Sequence, residues 1–139
     1  MSTQVVVDTG PLVAIADRDD DHHQVCLDWF DRYAGPVIVP APVIVEVCWL
    51  LGRRVGPAAE TAFLAGLSGD DPRIEALGPA DYRRSAELVN RYADLDLGFV
   101  DAAVIAVAER LRVHTIATIN LRDFHVVRPT HIDAFTLVP

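Results

Sequence analysis

Short runs of β-branched residues recur along the chain, each followed by a segment of helical length. That alternation restricts the fold to strand–helix units around a mostly parallel sheet. Gln4-Val5-Val6-Val7-Asp8 reads as a short buried strand stopping at Thr9-Gly10-Pro11, with a short helix over 12–16. A helical pattern over 22–33, bearing Trp29 and Phe30, is broken by Gly35-Pro36. A strand over 37–39 leads through Pro40-Ala41-Pro42 into a strongly apolar helix from 43 to about 52. A third long helix follows, from 57 or 58 to 67. The pattern then predicts a strand at 74–77, an amphipathic helix at 80–93 with Asp81 near its start, and a helix at 98–110 that is apolar on most sides. A strand at 115–118 and two late strands, at 125–127 and 135–138, complete the series. There is no repeat or linker, and 139 residues suit one domain with one core.

Composition narrows the chemistry. Half of the residues are hydrophobic and 23% are charged, which favours a compact globule over a disordered chain. No apolar run reaches the roughly 18 residues of a membrane span, and the first eight residues lack a basic, then apolar, leader pattern. A soluble cytoplasmic protein is expected. Cys26 and Cys48 form no CxxC pattern and read as buried free thiols, and the five histidines form no zinc-binding pair. The net charge of −8 opposes broad electrostatic binding of nucleic acid, so a nucleic-acid role must rest on local positive charge from a metal ion or an arginine patch. All twelve basic residues are arginines.

Three acids stand alone in apolar surroundings. Asp8 ends the first predicted strand, at the rim where ligands of parallel sheets bind; the alternative is a helix N-cap or turn residue. Glu46 is the sole charge in Val43-Ile44-Val45-Glu46-Val47-Cys48-Trp49-Leu50-Leu51. A helix apolar all round reads as buried, and a carboxylate there is costly unless paired or metal-bound; the alternative is a glutamate reaching out to solvent at the helix start. Asp101 is N3 of the next apolar helix if Gly98 is its N-cap, where a carboxylate also suits the helix dipole. Brought together, the three would repel one another, and a divalent cation would resolve the conflict. Oxygen donors without histidine or cysteine point to Mg²⁺, with Mn²⁺ as the alternative. Such sites hydrolyse phosphodiesters.

Four blocks in order resemble the PIN-domain family, and specifically its VapC-type toxins. They are Val-Val-Val-Asp8-Thr9-Gly10-Pro11-Leu12, Val45-Glu46-Val47, Leu97-Gly98-Phe99-Val100-Asp101-Ala102-Ala103 and Thr118-Ile119-Asn120-Leu121-Arg122-Asp123-Phe124; Val127-Arg128-Pro129 also fits. The resemblance implies an α/β/α sandwich with a central, mostly parallel five-stranded sheet. It implies that Asp8, Glu46 and Asp101 are metal-binding catalytic acids of a ribonuclease that cleaves transfer or ribosomal RNA. It also implies a homodimer and a cognate VapB-like antitoxin. Family members usually carry a fourth acid where this chain has Asn120. An amide oxygen can still ligate Mg²⁺ but adds no charge, and Asp123 could compensate. The bland reading makes Asn120 a helix cap answered by Asp123. Thr9 could orient a ligand or simply cap a turn. Arg122, beside the site, is the candidate RNA contact, whereas Arg53, Arg54, Arg83 and Arg84 read more simply as helix-end or solvated charges. Trp29, Phe30 and Trp49 could line a partner contact, though core packing is the more usual role for aromatics.

Other strand-end aspartates fit less well. A receiver domain needs adjacent acids and a late lysine, and a haloacid-dehalogenase-type phosphatase needs Asp-x-Asp after its first strand; neither pattern is present. The remaining alternative is a PIN fold that binds an antitoxin but cleaves poorly, a reading motivated by Asn120.

Overall fold

In the computed structural model, which describes residues 3–139, strand and helix alternate nearly as the pattern demands. The elements are β1 (Val5–Val7), α1 (Thr9–Ala16), α2 (His23–Arg32), β2 (Val37–Pro40), α3 (Ala41–Arg54), α4 (Pro57–Ala65), β3 (Arg73–Glu75), α5 (Pro79–Arg91), α6 (Phe99–Leu111), β4 (Thr115–Ala117), α7 (Leu121–Val126) and β5 (Thr136–Val138). A short 3₁₀ turn, Ala93–Leu95, joins α5 to α6. The sheet order is β3-β2-β1-β4-β5, and every pairing is parallel. The expectation of a mostly parallel sheet is thus met by a wholly parallel one, flanked by helices in an α/β/α arrangement.

This order has a direct consequence. The chain leaves β1 in one direction for β2 and β3, then returns to β1's other side with β4. The crevice at such a reversal, beyond the carboxyl ends of the strands, is where open α/β sheets bind ligands. Val5, Val6 and Val7 are fully buried, as central strands covered on both faces require. Helix α6 is buried from Ala102 through Ala108, with small alanines letting its backbone lie close to the sheet.

Several boundaries differ from the sequence reading. Asp8 lies just beyond β1 and is the N-cap of α1, which begins at Thr9 rather than residue 12. Pro11 is compatible with this early start because a first-turn N–H has no intrahelical acceptor to lose. Strand β3 begins one residue earlier than expected and ends at Glu75. The proposed strand at 125–127 does not exist: His125 and Val126 close α7, and Val127 is its C-cap. Phe124 and Val127 are buried there through helical spacing, whereas the short Val126-Val127 run has the composition of a strand. Helix α3 is not buried all round either. Val43, Val47 and Leu51 face the core, while Val45 and Trp49 are 71% and 59% exposed. Trp29 and Phe30 pack against the core and each other, with ring centroids 4.9 Å apart. Both cysteines are free, Cys26 buried and Cys48 only partly so.

The arginines largely brace helices. Arg84 holds Glu109 through two bonds of 2.8 and 3.0 Å, tying α5 to α6, so it is not the solvated charge expected of it. Arg110 donates to buried Asp81 and to Glu75, joining α6 to the start of α5 and to β3. Asp81 in turn accepts from the Gly78 N–H at 3.0 Å and closes the first turn of α5.

Gly10 packs against the loop after β4. A methyl group there would lie 2.5 Å from Ile119 Cγ1. Gly10→Ala should therefore cost about 1–3 kcal/mol by overpacking. Urea unfolding should show a lower midpoint with an unchanged slope; an unaltered midpoint would mean that the crowding is relieved freely.

Candidate active site

The polar groups at the carboxyl rim of the sheet come from widely separated segments. Asp8 follows β1 and is only 5% exposed. Its N–H donates to Ala117 O at 2.9 Å, fixing the end of β1 beside the end of β4. Its Oδ2 accepts from Thr118 Oγ1 at 2.9 Å, and the Thr9 amide also donates to the carboxylate. Asp101 is N3 of α6, with Gly98 as N-cap, and the Gly98 amide donates to its carboxylate. Glu46 lies in the second turn of α3, half-buried, where that helix leaves the end of β2.

These acids share one electrostatic field. Burial is the main cause that pushes the Asp8 carboxyl above its ordinary range; the bonds from Thr9 and Thr118 oppose this, and the charge of Glu46 adds to it. Asp101 is pushed up to about 7, first by burial, then by the charges of Asp8 and Glu46, with a smaller contribution from Asp123. The structure therefore brings Asp8, Glu46, Asp101 and Asp123 to one region. They do not form a closed cage: among the described residues, no three His, Cys, Asp or Glu side chains are grouped so as to hold a metal ion by themselves.

The donor set still fits a hard cation. Mg²⁺ is usually held by one or two carboxylates and keeps several waters, so a loose ring of acids suffices. Carboxylates destabilised by burial and mutual repulsion are the groups a cation would relieve. Thr9 supplies a further sign: it is buried, yet its Oγ1 has no hydrogen-bond partner. The turn-capping role considered for Thr9 is not realised, and its buried hydroxyl next to Asp8 is left without a partner.

The segment after β4 completes the rim. Asn120 is the N-cap of α7, but its side chain does not cap the helix. Its Nδ2 instead donates to Asp123 Oδ2 at 3.0 Å, while Arg122 Nε donates to Asp123 Oδ1 at 3.2 Å. Asp123 is buried, and the Arg122 side chain is largely exposed beside it. The reciprocal capping box considered from sequence is thus replaced by a side-chain clasp. Thr118 had no assigned role. The available signal was a polar residue ending an apolar strand, the same position relative to β4 that Asp8 occupies relative to β1.

Beside the acids runs an apolar groove of about 730 Å³, with Glu46 in its wall. Val45, Trp49, Tyr82 and Phe99 line it and are all substantially exposed. The rings of Tyr82 and Phe99 stack at 6.1 Å, and Arg53 lies over Trp49 at 4.8 Å. Trp49 therefore lines a surface rather than the core.

An all-parallel sheet with acids gathered at its switch point defines a class of α/β proteins that act on ligands at the strand ends. The chain belongs to the PIN-domain family, whose model matches residues 5–128. It is 33% identical over 135 residues to Ribonuclease VapC26 of Mycobacterium tuberculosis, covering 97% of this chain and all of that protein. Among solved structures it resembles M. tuberculosis VapC20, a sarcin–ricin-loop-cleaving toxin. The TM-score is 0.77 at 24% identity, over 81% of this chain and 86% of that one. It also resembles VapBC2 of Rickettsia felis bound to a DNA fragment from its promoter, with a TM-score of 0.66 at 14% identity over 97% of each chain. Likeness at these structural identities establishes the shared fold. Nucleases of this family are generally dependent on a divalent metal. No helix among the described residues is long and apolar enough to cross a membrane.

The raised Asp101 carboxyl has a consequence for stability. An acid whose folded pKa exceeds its unfolded value makes the fold less stable as pH rises from about 4 to about 7, and that penalty persists above 7. Asp101→Asn should leave stability near pH 4 unchanged. It should raise it at pH 8 by on the order of 1–2 kcal/mol, a figure discounted for partial solvent exposure. Thermal melts of metal-free protein at the two pH values test this; equal melting temperatures at pH 8 would refute it.

Proposed function

We propose that this protein is a metal-dependent endoribonuclease toxin of the VapC type, neutralised by a cognate VapB-like antitoxin. The observation that carries the reading is the meeting of Asp8, Glu46 and Asp101 at one rim, where burial first, and then the charges of Asp8 and Glu46, push Asp101 up to about 7. The 33% identity to a ribonuclease over nearly the whole chain supports the chemistry. The substrate class is structured RNA, transfer or ribosomal; similarity to a toxin that cleaves the sarcin–ricin loop supports this class.

In this reading Asp8, Glu46 and Asp101 hold Mg²⁺, or Mn²⁺ in its place. When bound, the cation supplies an activated water and charge stabilisation at the scissile phosphate. The protein's own part is to hold oxygen donors in place and limit water around them. Asp8 is fixed by Thr118 and the Thr9 amide; Asp101 is fixed by the Gly98 amide. Cation and proton compete for Asp101, so metal uptake strengthens as pH rises through 7. Thr9 Oγ1 orients a bound water or substrate oxygen. Asn120 contributes a neutral amide oxygen, with its nitrogen tied to Asp123, so Asp123 steers Asn120 and adds negative charge to the rim. Arg122, exposed at the rim, contacts an RNA phosphate.

Structural neighbours that include VapBC2 and a FitAB complex bound to DNA support an antitoxin partner. The apolar groove beside Glu46 offers a surface for protein contact, by the antitoxin or by a second copy in a homodimer. A second reading, a weakened module acting through protein binding, has one observation behind it: Asn120 stands where the family usually has an acid.

Asp8→Asn should lower cleavage of structured RNA at least 100-fold while circular dichroism shows an intact fold, and chelation should abolish wild-type cleavage until Mg²⁺ or Mn²⁺ is restored. Cleavage by Asp8→Asn at the wild-type rate would sink the assignment. Asn120→Asp should raise activity at limiting Mg²⁺. If wild type stays inactive at any metal concentration yet retains antitoxin binding, the module reading prevails.

A further inference from the structure

Thr118 is 1% exposed and sits where the ends of three strands meet. Its N–H donates to Val138 O at 2.8 Å, pinning it to β5, and its Oγ1 is 2.9 Å from Asp8 Oδ2. The Asn120 N–H donates to the same Oγ1 at 3.0 Å. An amide N–H can only donate, so the hydroxyl accepts from Asn120 and must send its single proton elsewhere. The acceptor within reach is Asp8 Oδ2. Ionised Asp8 has no proton to offer, so the chain runs from Asn120 N–H to Thr118 O–H to Asp8. One carboxylate oxygen of Asp8 is occupied by a donor buried beyond the reach of water.

We infer that Thr118 is a positioning residue for metal binding: it holds the Asp8 carboxylate in a single orientation, set by β5 through the Thr118 backbone and by α7 through Asn120. This rests on the reading of Asp8 as a metal ligand. The physical reason is that a carboxylate fixed before the ion arrives loses less freedom on binding, and partners that orient ligands in this way commonly contribute 10–100-fold to metal affinity. The juxtaposition depends on residues beyond the matched family segment, because Val138 lies past residue 128. Asn120, whatever its side chain does, contributes through its backbone as well.

Mn²⁺ binding to the full-length protein, followed by calorimetry or electron paramagnetic resonance without RNA, tests the inference. Thr118→Val preserves shape and removes the donor; it should weaken Mn²⁺ binding about 10-fold or more. Thr118→Ser restores the hydroxyl and should bind within about 3-fold of wild type, a rescue that simple loss of packing would not give. With RNA present, the Thr118→Val defect should be largely recovered at saturating Mn²⁺, because positioning acts on metal occupancy. If Thr118→Val does not fold, Thr118→Ala takes its place in the same titration. Wild-type Mn²⁺ affinity in either folded variant overturns the proposal while leaving the nuclease reading intact. Equal losses in the Ser and Val variants also overturn it. If wild-type protein takes up no Mn²⁺ at all, the underlying metal assignment fails, and this inference with it.

Discussion

Burying the Asp8 carboxylate between the ends of β1 and β4 sets the terms for everything around it. A carboxylate removed from water is costly unless donors or a cation compensate. Here the compensation is only partial: Thr118 and the Thr9 amide donate to it, yet burial still dominates its protonation. Glu46 and Asp101 add charge of the same sign from two other helices. A sequence optimised for stability alone would not collect these groups at one rim. Their persistence there is the physical signature of a site whose balance is completed from outside the chain.

The fold keeps this unfavourable arrangement in place by rigid means. The rim is built from strand ends and helix starts, so the acids inherit positions from backbone hydrogen bonds. The first turn of α6 receives Asp101 exactly as the first turn of α5 receives Asp81, each carboxylate accepting from the N-cap glycine amide three residues earlier. Their environments then separate their roles. Asp81 meets Arg110 and becomes a structural tie; Asp101 faces the charges of Asp8, Glu46 and Asp123. Identical local sequence logic thus yields a brace in one helix and a destabilised carboxyl in the other.

Much of this was legible in the sequence, for identifiable reasons. Val5-Val6-Val7 and the 98–110 segment are governed by burial, and burial leaves a clear hydrophobic pattern. Gly98 and Asp101 fell at N-cap and N3 as their local chemistry requires. The short elements were harder. Val126-Val127 has strand-like composition, but the buried pair Phe124 and Val127 imposes helical spacing, so tertiary packing overrides local preference. Helix α3 misled in a different way: its apolar residues cover both a core face and a surface groove, and composition cannot separate the two. Thr118 escaped notice because its importance lies in a bond spanning 110 residues, which no local pattern records.

The parallel order of the strands has a practical side. Because β5 runs alongside β4, the chain arrives at Pro139 on the functional face, and Pro139 shares a small cleft with Thr118 and Leu121. Strand β1, in contrast, begins at the opposite rim of the sheet. Any polypeptide attached beyond residue 139 would emerge beside Thr118 at the carboxyl rim, whereas one attached ahead of β1 would trail from the opposite side. Affinity handles, reporter fusions and immobilisation chemistry therefore belong at the amino end.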